Sequence, residues 1–289
     1  MQTNQFKFLI IFVGLFTLSA CSSTPLVAPP VKLLQINSFE SHTLESPEEI
    51  FTLSDSLKQQ LKSHLKSKQS TQTLAHNILS FLLKNGDDSL SYQSGATLTA
   101  SQTFKNLNAN CLSLSILAYS LADYLGIKAR FNNVHIPEYW ALNNGFNLLT
   151  GHINLSIYTA TEPSNQSVFI YQGKKRLIID FDPNSRQARF KTTPISKNTI
   201  TAMFYNNKGA IALVNKQYDL AYNYFRNAVK VDFSFSAGWG NLGVLFRQLN
   251  YLTEAEKAYT HAILLNQNNN TAQGNLAVWY QLTGRSKLV

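Results

Sequence analysis

A period of 34 residues in the C-terminal third is the strongest constraint on the fold of this chain. Gly209, Ala221, Phe225 and Ala228 match Gly243, Ala255, Tyr259 and Ala262 by that shift, and Tyr205 matches Trp239 in the same register. Small residues at fixed places allow two helices to approach closely, while large aromatic side chains fill the gap between neighbouring repeats. The period therefore predicts pairs of antiparallel helices stacked one after another.

This pattern resembles the tetratricopeptide repeat, and it predicts an all-α repeat domain over residues 202–289. Two full copies are expected at 202–235 and 236–269. A third copy starts at Asn270 but holds only one helix, so residues 270–284 are expected to cap the array. Arrays of this kind bind protein segments or pack against their own domain, so a protein partner and a structural role are both open.

The N-terminus has the pattern of an export signal. Its apolar run from Phe8 is too short to span a bilayer and has the length of a signal-peptide core. The sequence Leu-Ser-Ala-Cys ending at Cys21 resembles the bacterial lipobox, which implies cleavage after residue 20 and lipidation of Cys21. The simpler interpretation is an ordinary signal peptide with a chance cysteine. Serines at 22 and 23 imply, by the same resemblance, the outer membrane and a protein that faces the periplasm.

Residues 21–45 are predicted to be a lipidated tether, because STPLVAPPVK is rich in proline and small residues, as linkers are. A domain then begins at Ser46, which with Pro47 and Glu49 forms the pattern of a helix-capping box. Two helices are predicted near 47–67 and 70–84.

The composition is that of a globular protein, with 44% hydrophobic and 14% charged residues. A formal net charge of +9 favours anionic surfaces such as lipopolysaccharide, acidic lipid or cell wall, although a solvated basic surface is the simpler explanation. No run of lysine and arginine is dense enough to indicate nucleic-acid binding.

The helix predicted after Asn110 is apolar on nearly all sides, which is typical of a buried central helix. Asn108 or Asn110 can cap its start, and Gly126 can end it in a left-handed turn. Cys111 lies in its first turn, where free backbone N–H groups stabilise negative charge and make a thiol nucleophilic near neutral pH.

Cys111 has no disulfide partner in the chain if Cys21 is lipidated, because these are the two cysteines present. A lone thiol outside the inner membrane risks oxidation and mispairing. It is therefore either buried and inert or needed for chemistry.

Strands are predicted after this helix, at Lys128–Val134, His152–Tyr158, Val168–Tyr171 and Arg176–Phe181. Strict alternation puts His152 on a polar face, and the same parity puts Asp180 and Asp182 on one side of their strand. A helix-borne cysteine followed by His and Asp on strands is what a cysteine nucleophile needs: the imidazole takes the thiol proton, and the carboxylate orients the imidazole.

Three segments resemble the bacterial transglutaminase-like cysteine-enzyme core, a papain-like arrangement: NANCLSLSILAYSLADYLGIKARF, GHINLSIY and IIDFDP. The resemblance covers about residues 46–195 and implies an α+β domain over 46–198, with a buried Cys-bearing helix against an antiparallel sheet. It implies Cys111 as nucleophile, His152 as base and Asp182 as the residue that orients the base. Asp180 is the reserve candidate, since parity does not separate the two. The chain departs from the family pattern at Ala109, where glycine is common, and in its long interval between the His and Asp strands.

Other interpretations of these residues stay open. Cys111 can be a buried thiol that fills the core, and His135 is a rival histidine although HIPEYW breaks the strand after it. A zinc site from Cys111, His152 and an aspartate finds no support in the spacing, so neither a metal nor a cofactor is expected.

The sequence thus predicts an envelope lipoprotein that acts on amide bonds of a protein or peptide, as a peptidase, amidase or acyltransferase. The alternative is a non-catalytic scaffold lipoprotein that assembles an envelope complex through its repeats.

The lipobox leads to a direct prediction. Radiolabelled palmitate should enter the protein in bacterial cells, and Cys21→Ala should abolish that labelling while Cys111→Ala leaves it unchanged. Equal labelling of the Cys21 variant would refute the lipid anchor.

Overall fold

The computed structural model describes residues 28–65, 70–84, 91–92, 96–106, 108–143, 146–158, 170–173, 176–181 and 190–285. Its helices are α1 (Pro47–Phe51), α2 (Asp55–His64), α3 (Thr71–Lys84), α4 (Ala100–Asn106), α5 (Cys111–Tyr124), α6 (Lys197–Val214), α7 (Tyr218–Val231), α8 (Ser236–Gln248), α9 (Leu252–Leu265) and α10 (Asn270–Leu282). Its strands are β1 (Ser91–Tyr92), β2 (Asn108–Ala109), β3 (Ala129–Asn143), β4 (Phe146–Tyr158), β5 (Ile170–Gly173), β6 (Arg176–Ile179) and β7 (Thr192–Pro194). None of these helices is both long enough and apolar enough to cross a membrane.

The main sheet has the strand order β5-β6-β4-β3-β7, and all neighbouring strands in it are antiparallel. Helix α5 packs against β3 and β4, near the middle of the sheet. Strands β1 and β2 form a separate short parallel ladder. The predicted combination of helices and antiparallel sheet, followed by a helical C-terminal region, is confirmed.

Helix α5 is buried along most of its length, because its side chains are apolar on nearly every face. The side chain of Asn110 caps its start by accepting a hydrogen bond from the Ser113 N–H at 2.9 Å. Gly126 follows its end with a φ of 69°, a conformation that a residue without Cβ adopts at low cost. Cys111 is therefore held at the first position of a fixed helix.

The first predicted helix starts where expected but breaks early. Ser46 and Glu49 form the predicted capping box, with Pro47 at the first helical position. The prediction of one helix over 47–67 is wrong, because Ser54 starts a new helix by accepting a hydrogen bond from the Leu57 N–H at 3.3 Å. The intervening Leu53 is buried in the core, so the chain turns there.

The sheet extends further than the sequence predicted. Strand β3 continues past Val134 to Asn143, with a shift in its pairing to β4 between Val134 and Tyr139. The strand break predicted from HIPEYW is therefore an irregularity within one longer strand. The short strand β7 was not predicted; it pairs with Asn132–Val134.

The helices after residue 196 repeat the same backbone geometry every 34 residues, as the sequence predicted. The chain adopts a left-handed backbone conformation at Lys216, Asn250 and Gly284, one at the end of each first helix, with φ of 60°, 63° and 72°. The ring of Phe225 lies against Gly209 of the same helix pair, and a Cβ built on Gly209 would lie 2.7 Å from that ring. In the next pair, a Cβ built on Gly243 would lie 2.6 Å from Tyr259. Glycine is required at both positions because the rings occupy the space of a side chain.

No linker separates the sheet domain from the repeats. Helix α6 begins at Lys197, and its residues Ile200 and Phe204 belong to the same hydrophobic core as α5 and the sheet. The predicted boundary between 198 and 202 therefore falls inside one continuous helix.

The described part of the predicted tether is folded against the repeats. Residues 31–40, named the strap, start with a 3₁₀ turn whose Leu33 and Leu34 are buried in the core of the repeats. Phe39 stacks on Tyr222 of α7, with ring centroids 4.0 Å apart. The linker composition of residues 21–45 did not reveal that the strap packs on the repeats, because its apolar side chains find partners far away in the chain. Residues 21–27 lie outside the described ranges.

The close ring contact at Gly243 predicts that two glycines of α8 differ in how much an alanine substitution changes the free energy of unfolding. Gly243→Ala should lower the free energy of unfolding by about 1–3 kcal/mol, because the new methyl group meets the buried ring of Tyr259. Gly240→Ala is the matched control; its Cβ has ordinary contacts at 3.8 and 3.9 Å, so it should be neutral or stabilise the helix. Urea unfolding measures both variants, and equal effects would contradict the register.

Candidate active site

Cys111 and His152 meet where the start of α5 lies against β4. Cys111 is 8% exposed and His152 1% exposed. Cys111 lies close enough to His152 to raise the pKa of its imidazole. A thiol at the start of a helix thus faces an imidazole that is almost fully removed from water.

The second partner of His152 is Asp180, which directly follows β6. The Nε2 atom of His152 lies 2.9 Å from Oδ1 and 3.0 Å from Oδ2 of Asp180. Strand pairing explains this contact, because Leu155 of β4 pairs with Ile179 of β6 and so brings the next residue close to the histidine.

The charges around His152 favour its protonated form. Burial, the largest effect, lowers the pKa of His152, but hydrogen bonds to Asp180 and Cys111 and the charges of both groups raise that pKa to about 10. An imidazolium is therefore the expected form at neutral pH.

A ladder of buried polar side chains holds the carboxylate of Asp180. Asn154 donates a hydrogen bond from Nδ2 to Oδ2 of Asp180 at 3.3 Å. Asn132 in turn donates from Nδ2 to Oδ1 of Asn154 and to Oγ of Ser156, both at 2.9 Å. These side chains are buried, so their hydrogen bonds fix the direction in which the carboxylate faces the imidazole.

The segment 96–98 fixes the start of α5 from the other side. Asn110 donates from its backbone N–H to the Ala96 carbonyl at 3.2 Å and from Nδ2 to Oγ1 of Thr97 at 2.9 Å. The Leu98 N–H donates to Oγ of Ser113 at 2.9 Å. The cap residue is therefore held on both of its sides, and Cys111 follows it directly.

The structure brings three of the candidate residues together: Cys111, His152 and Asp180. Asp182, the first choice from the resemblance, lies outside the described residues, as does Cys21. The rival His135 lies elsewhere on β3, exposed, with Nε2 3.0 Å from Oγ1 of Thr193. The catalytic roles of these residues stay predictions.

The sequence did not predict that Asn132 and Asn154 support the carboxylate of Asp180. Alternation placed Asn154 on the same face as His152, which was the available signal for it. The contribution of Asn132 depends on the pairing of β3 with β4, which a single strand pattern does not reveal.

Within the described ranges, no three His, Cys, Asp or Glu side chains lie close enough together to hold a metal ion. The donors around Cys111 are thus arranged as a chain of contacts and not as a cage.

The comparisons with known proteins concern the C-terminal region. The family model of the tetratricopeptide repeat matches residues 236–269, which confirms the predicted second copy with the same bounds. Repeats of this family generally mediate protein–protein interaction. No curated protein matches the chain.

The raised pKa of His152 predicts a pH-dependent contribution to stability. Because the folded pKa, about 10, lies above the ordinary value of 6.5, the contribution is complete below about pH 6.5 and is lost as the pH rises toward about 10. The difference in unfolding free energy between the native chain and His152→Gln should therefore decrease across this window. Urea unfolding at a series of pH values measures it, and a difference that stays constant would contradict a charged His152.

Proposed function

We propose that Cys111, His152 and Asp180 form the active site of a thiol enzyme that acts on amide bonds of a protein or peptide. The observation that carries this proposal is the buried contact of His152 with Asp180, close to Cys111 at the start of α5. Asp180 takes the role first expected of Asp182, because its carboxylate lies 2.9 Å from the imidazole.

In the first step the thiolate of Cys111 attacks the amide carbonyl carbon, and a tetrahedral intermediate forms. The imidazolium of His152 then gives its proton to the leaving nitrogen as the carbon–nitrogen bond breaks. An amine leaves, and the acyl group stays on Cys111 as a thioester. The free N–H of Cys111 at the start of α5 is one donor to the oxyanion.

In the second step the neutral His152 accepts a proton from the attacking group. Water gives a carboxylic acid and makes the reaction a hydrolysis, whereas an amine gives a new amide and makes it an acyl transfer. Either route restores the thiolate and the imidazolium. Asp180 stabilises the imidazolium by charge and keeps its Nε2 side occupied.

The lipobox supports the location of this enzyme in the bacterial envelope, where a lipid on Cys21 anchors it. The palmitate labelling described above tests this anchor. The tetratricopeptide repeats supply the module for a protein partner. A non-catalytic scaffold lipoprotein is the second candidate function, and the family match at residues 236–269 supports it.

The rate of Cys111 alkylation separates the two functions. In the folded native chain, iodoacetamide should modify Cys111 rapidly at neutral pH, and His152→Ala should slow the reaction because the neighbouring positive charge is gone. Asp180→Asn should slow it less, since that residue acts through the imidazole. His135→Ala is the matched control and should leave the rate unchanged.

Mass spectrometry of the Cys111 peptide measures each rate. A thiol that reacts in the unfolded chain but not in the folded one would refute the enzyme and leave the scaffold. Circular dichroism of each variant establishes that a slower reaction does not come from unfolding.

A further inference from the structure

The strap lies on α7 in the way a bound peptide lies on a receptor, with its backbone hydrogen-bonded to side chains. The hydroxyl of Tyr222 accepts a hydrogen bond from the Ile36 N–H at 3.1 Å and donates one to the Leu33 carbonyl at 3.0 Å. One side chain of the repeat therefore satisfies two backbone groups of the strap.

A second pair of side chains on α7 holds both backbone groups of one strap residue. Oδ1 of Asp219 accepts from the Glu40 N–H at 3.0 Å, and Nδ2 of Asn223 donates to the Glu40 carbonyl at 2.7 Å. Asp219 and Asn223 are one helical turn apart, so they face the same backbone stretch. Contacts of this kind are made to the backbone and not to the side chain of the residue that is held.

The side chains of the strap that enter the repeats are few and apolar. Leu33 and Leu34 are each 3% exposed, and Phe39 stacks on Tyr222 and also lies near Phe246 and Tyr251. Lys32, Gln35, Asn37 and Ser38 are exposed. The strap side chains that pack into the repeats thus include an aliphatic pair and an aromatic residue five positions after it.

A separate set of contacts holds the chain at Glu45, beyond the C-terminal end of the strap. The Glu45 carboxylate lies 2.9 Å from Nζ of Lys208 and accepts a hydrogen bond from the Tyr224 hydroxyl at 3.0 Å, while Tyr205 donates to the Glu45 carbonyl at 2.6 Å. Residues 41–43, between this point and the strap, are exposed. The strap is therefore tied at one end and connected through an accessible stretch of chain.

We propose that the surface formed by Asp219, Tyr222, Asn223 and Phe246 is a peptide-binding site that the strap occupies in cis. Its partner in trans is a protein segment with an aliphatic pair and an aromatic residue five positions later. The strap acts as an intramolecular competitor, because a short connection gives it an effective concentration in the millimolar range. This site is independent of the thiol chemistry proposed for Cys111.

Cutting the chain between the strap and Glu45 tests this proposal in the folded protein. A protease recognition sequence inserted after His42 allows cleavage after folding, so that the strap is retained by non-covalent contacts alone. A fluorescent peptide with the sequence of residues 31–40 is then added. The cleaved protein should bind it, measured by fluorescence anisotropy, and the uncleaved protein should bind it far more weakly.

Two asparagines on α7 provide the matched variants. Asn223→Ala should weaken binding of the peptide, because it loses the hydrogen bond to the Glu40 carbonyl. Asn227→Ala removes a side chain that bonds to the backbone of α7, at the Asn223 carbonyl 2.8 Å away, and it should change binding little.

Either of two results would overturn the proposal. A strap that stays with the cleaved protein and never exchanges with the labelled peptide is a permanent part of the core. A strap that leaves without the peptide binding in its place shows that the surface has no affinity of its own. Thiol alkylation of Cys111, measured on the same samples, shows whether a failure here is separate from a failure of the enzyme proposal.

Discussion

A buried carboxylate must have a partner for its charge, and the candidate active site depends on how Asp180 meets that need. Removing one member of a buried ion pair typically costs about 3–5 kcal/mol, because the other charge is left unpaired. His152 supplies the opposite charge, and Asn154 supplies a further hydrogen bond. The same contacts favour the protonated imidazole close to Cys111. One electrostatic requirement thus sets both the position and the charge of the groups around the thiol.

The repeats are joined to this site by packing and not by a flexible connection. Helix α6 shares a hydrophobic core with α5 and the sheet, and Lys208 and Tyr224 of the repeats line a cavity together with Ala96–Leu98. That last segment hydrogen-bonds the cap of α5. The surface that holds the strap and the start of the Cys111 helix therefore belong to one continuous structure. Glu45, beyond the strap, contacts α6 and α7 of the same structure.

Patterns within short stretches of the sequence predicted those parts of the fold that depend on interactions between neighbouring residues. The capping box at Ser46, the cap at Asn110, the left-handed turn at Gly126 and the 34-residue register each depend on a few neighbouring residues or on a repeated spacing. The positions of Cys111 at the start of a helix and of His152 on the polar face of a strand were visible in the same way, from helix position and strand alternation.

Contacts between distant segments could not be predicted in this way. The strap joins α7 through residues that are about 180 to 190 positions away in the chain, such as Tyr222 and Leu33, 189 apart. Parity alone left Asp180 and Asp182 equivalent; the pairing of β6 with β4 is what brings Asp180 to the imidazole. The break between α1 and α2 was missed because Ser54 is a cap signal inside a stretch with helical periodicity.

Nuclear magnetic resonance of the native chain labelled with ¹⁵N in its histidines reports the charge on His152 itself, on which the proposed active site depends. His152→Gln assigns the signal by its loss. Both ring nitrogens of His152 should stay protonated at pH 8, well above the ordinary pKa of 6.5, and the proton should be lost near pH 10. A signal of neutral imidazole at pH 8 would contradict the ion pair and, with it, the proposed active site.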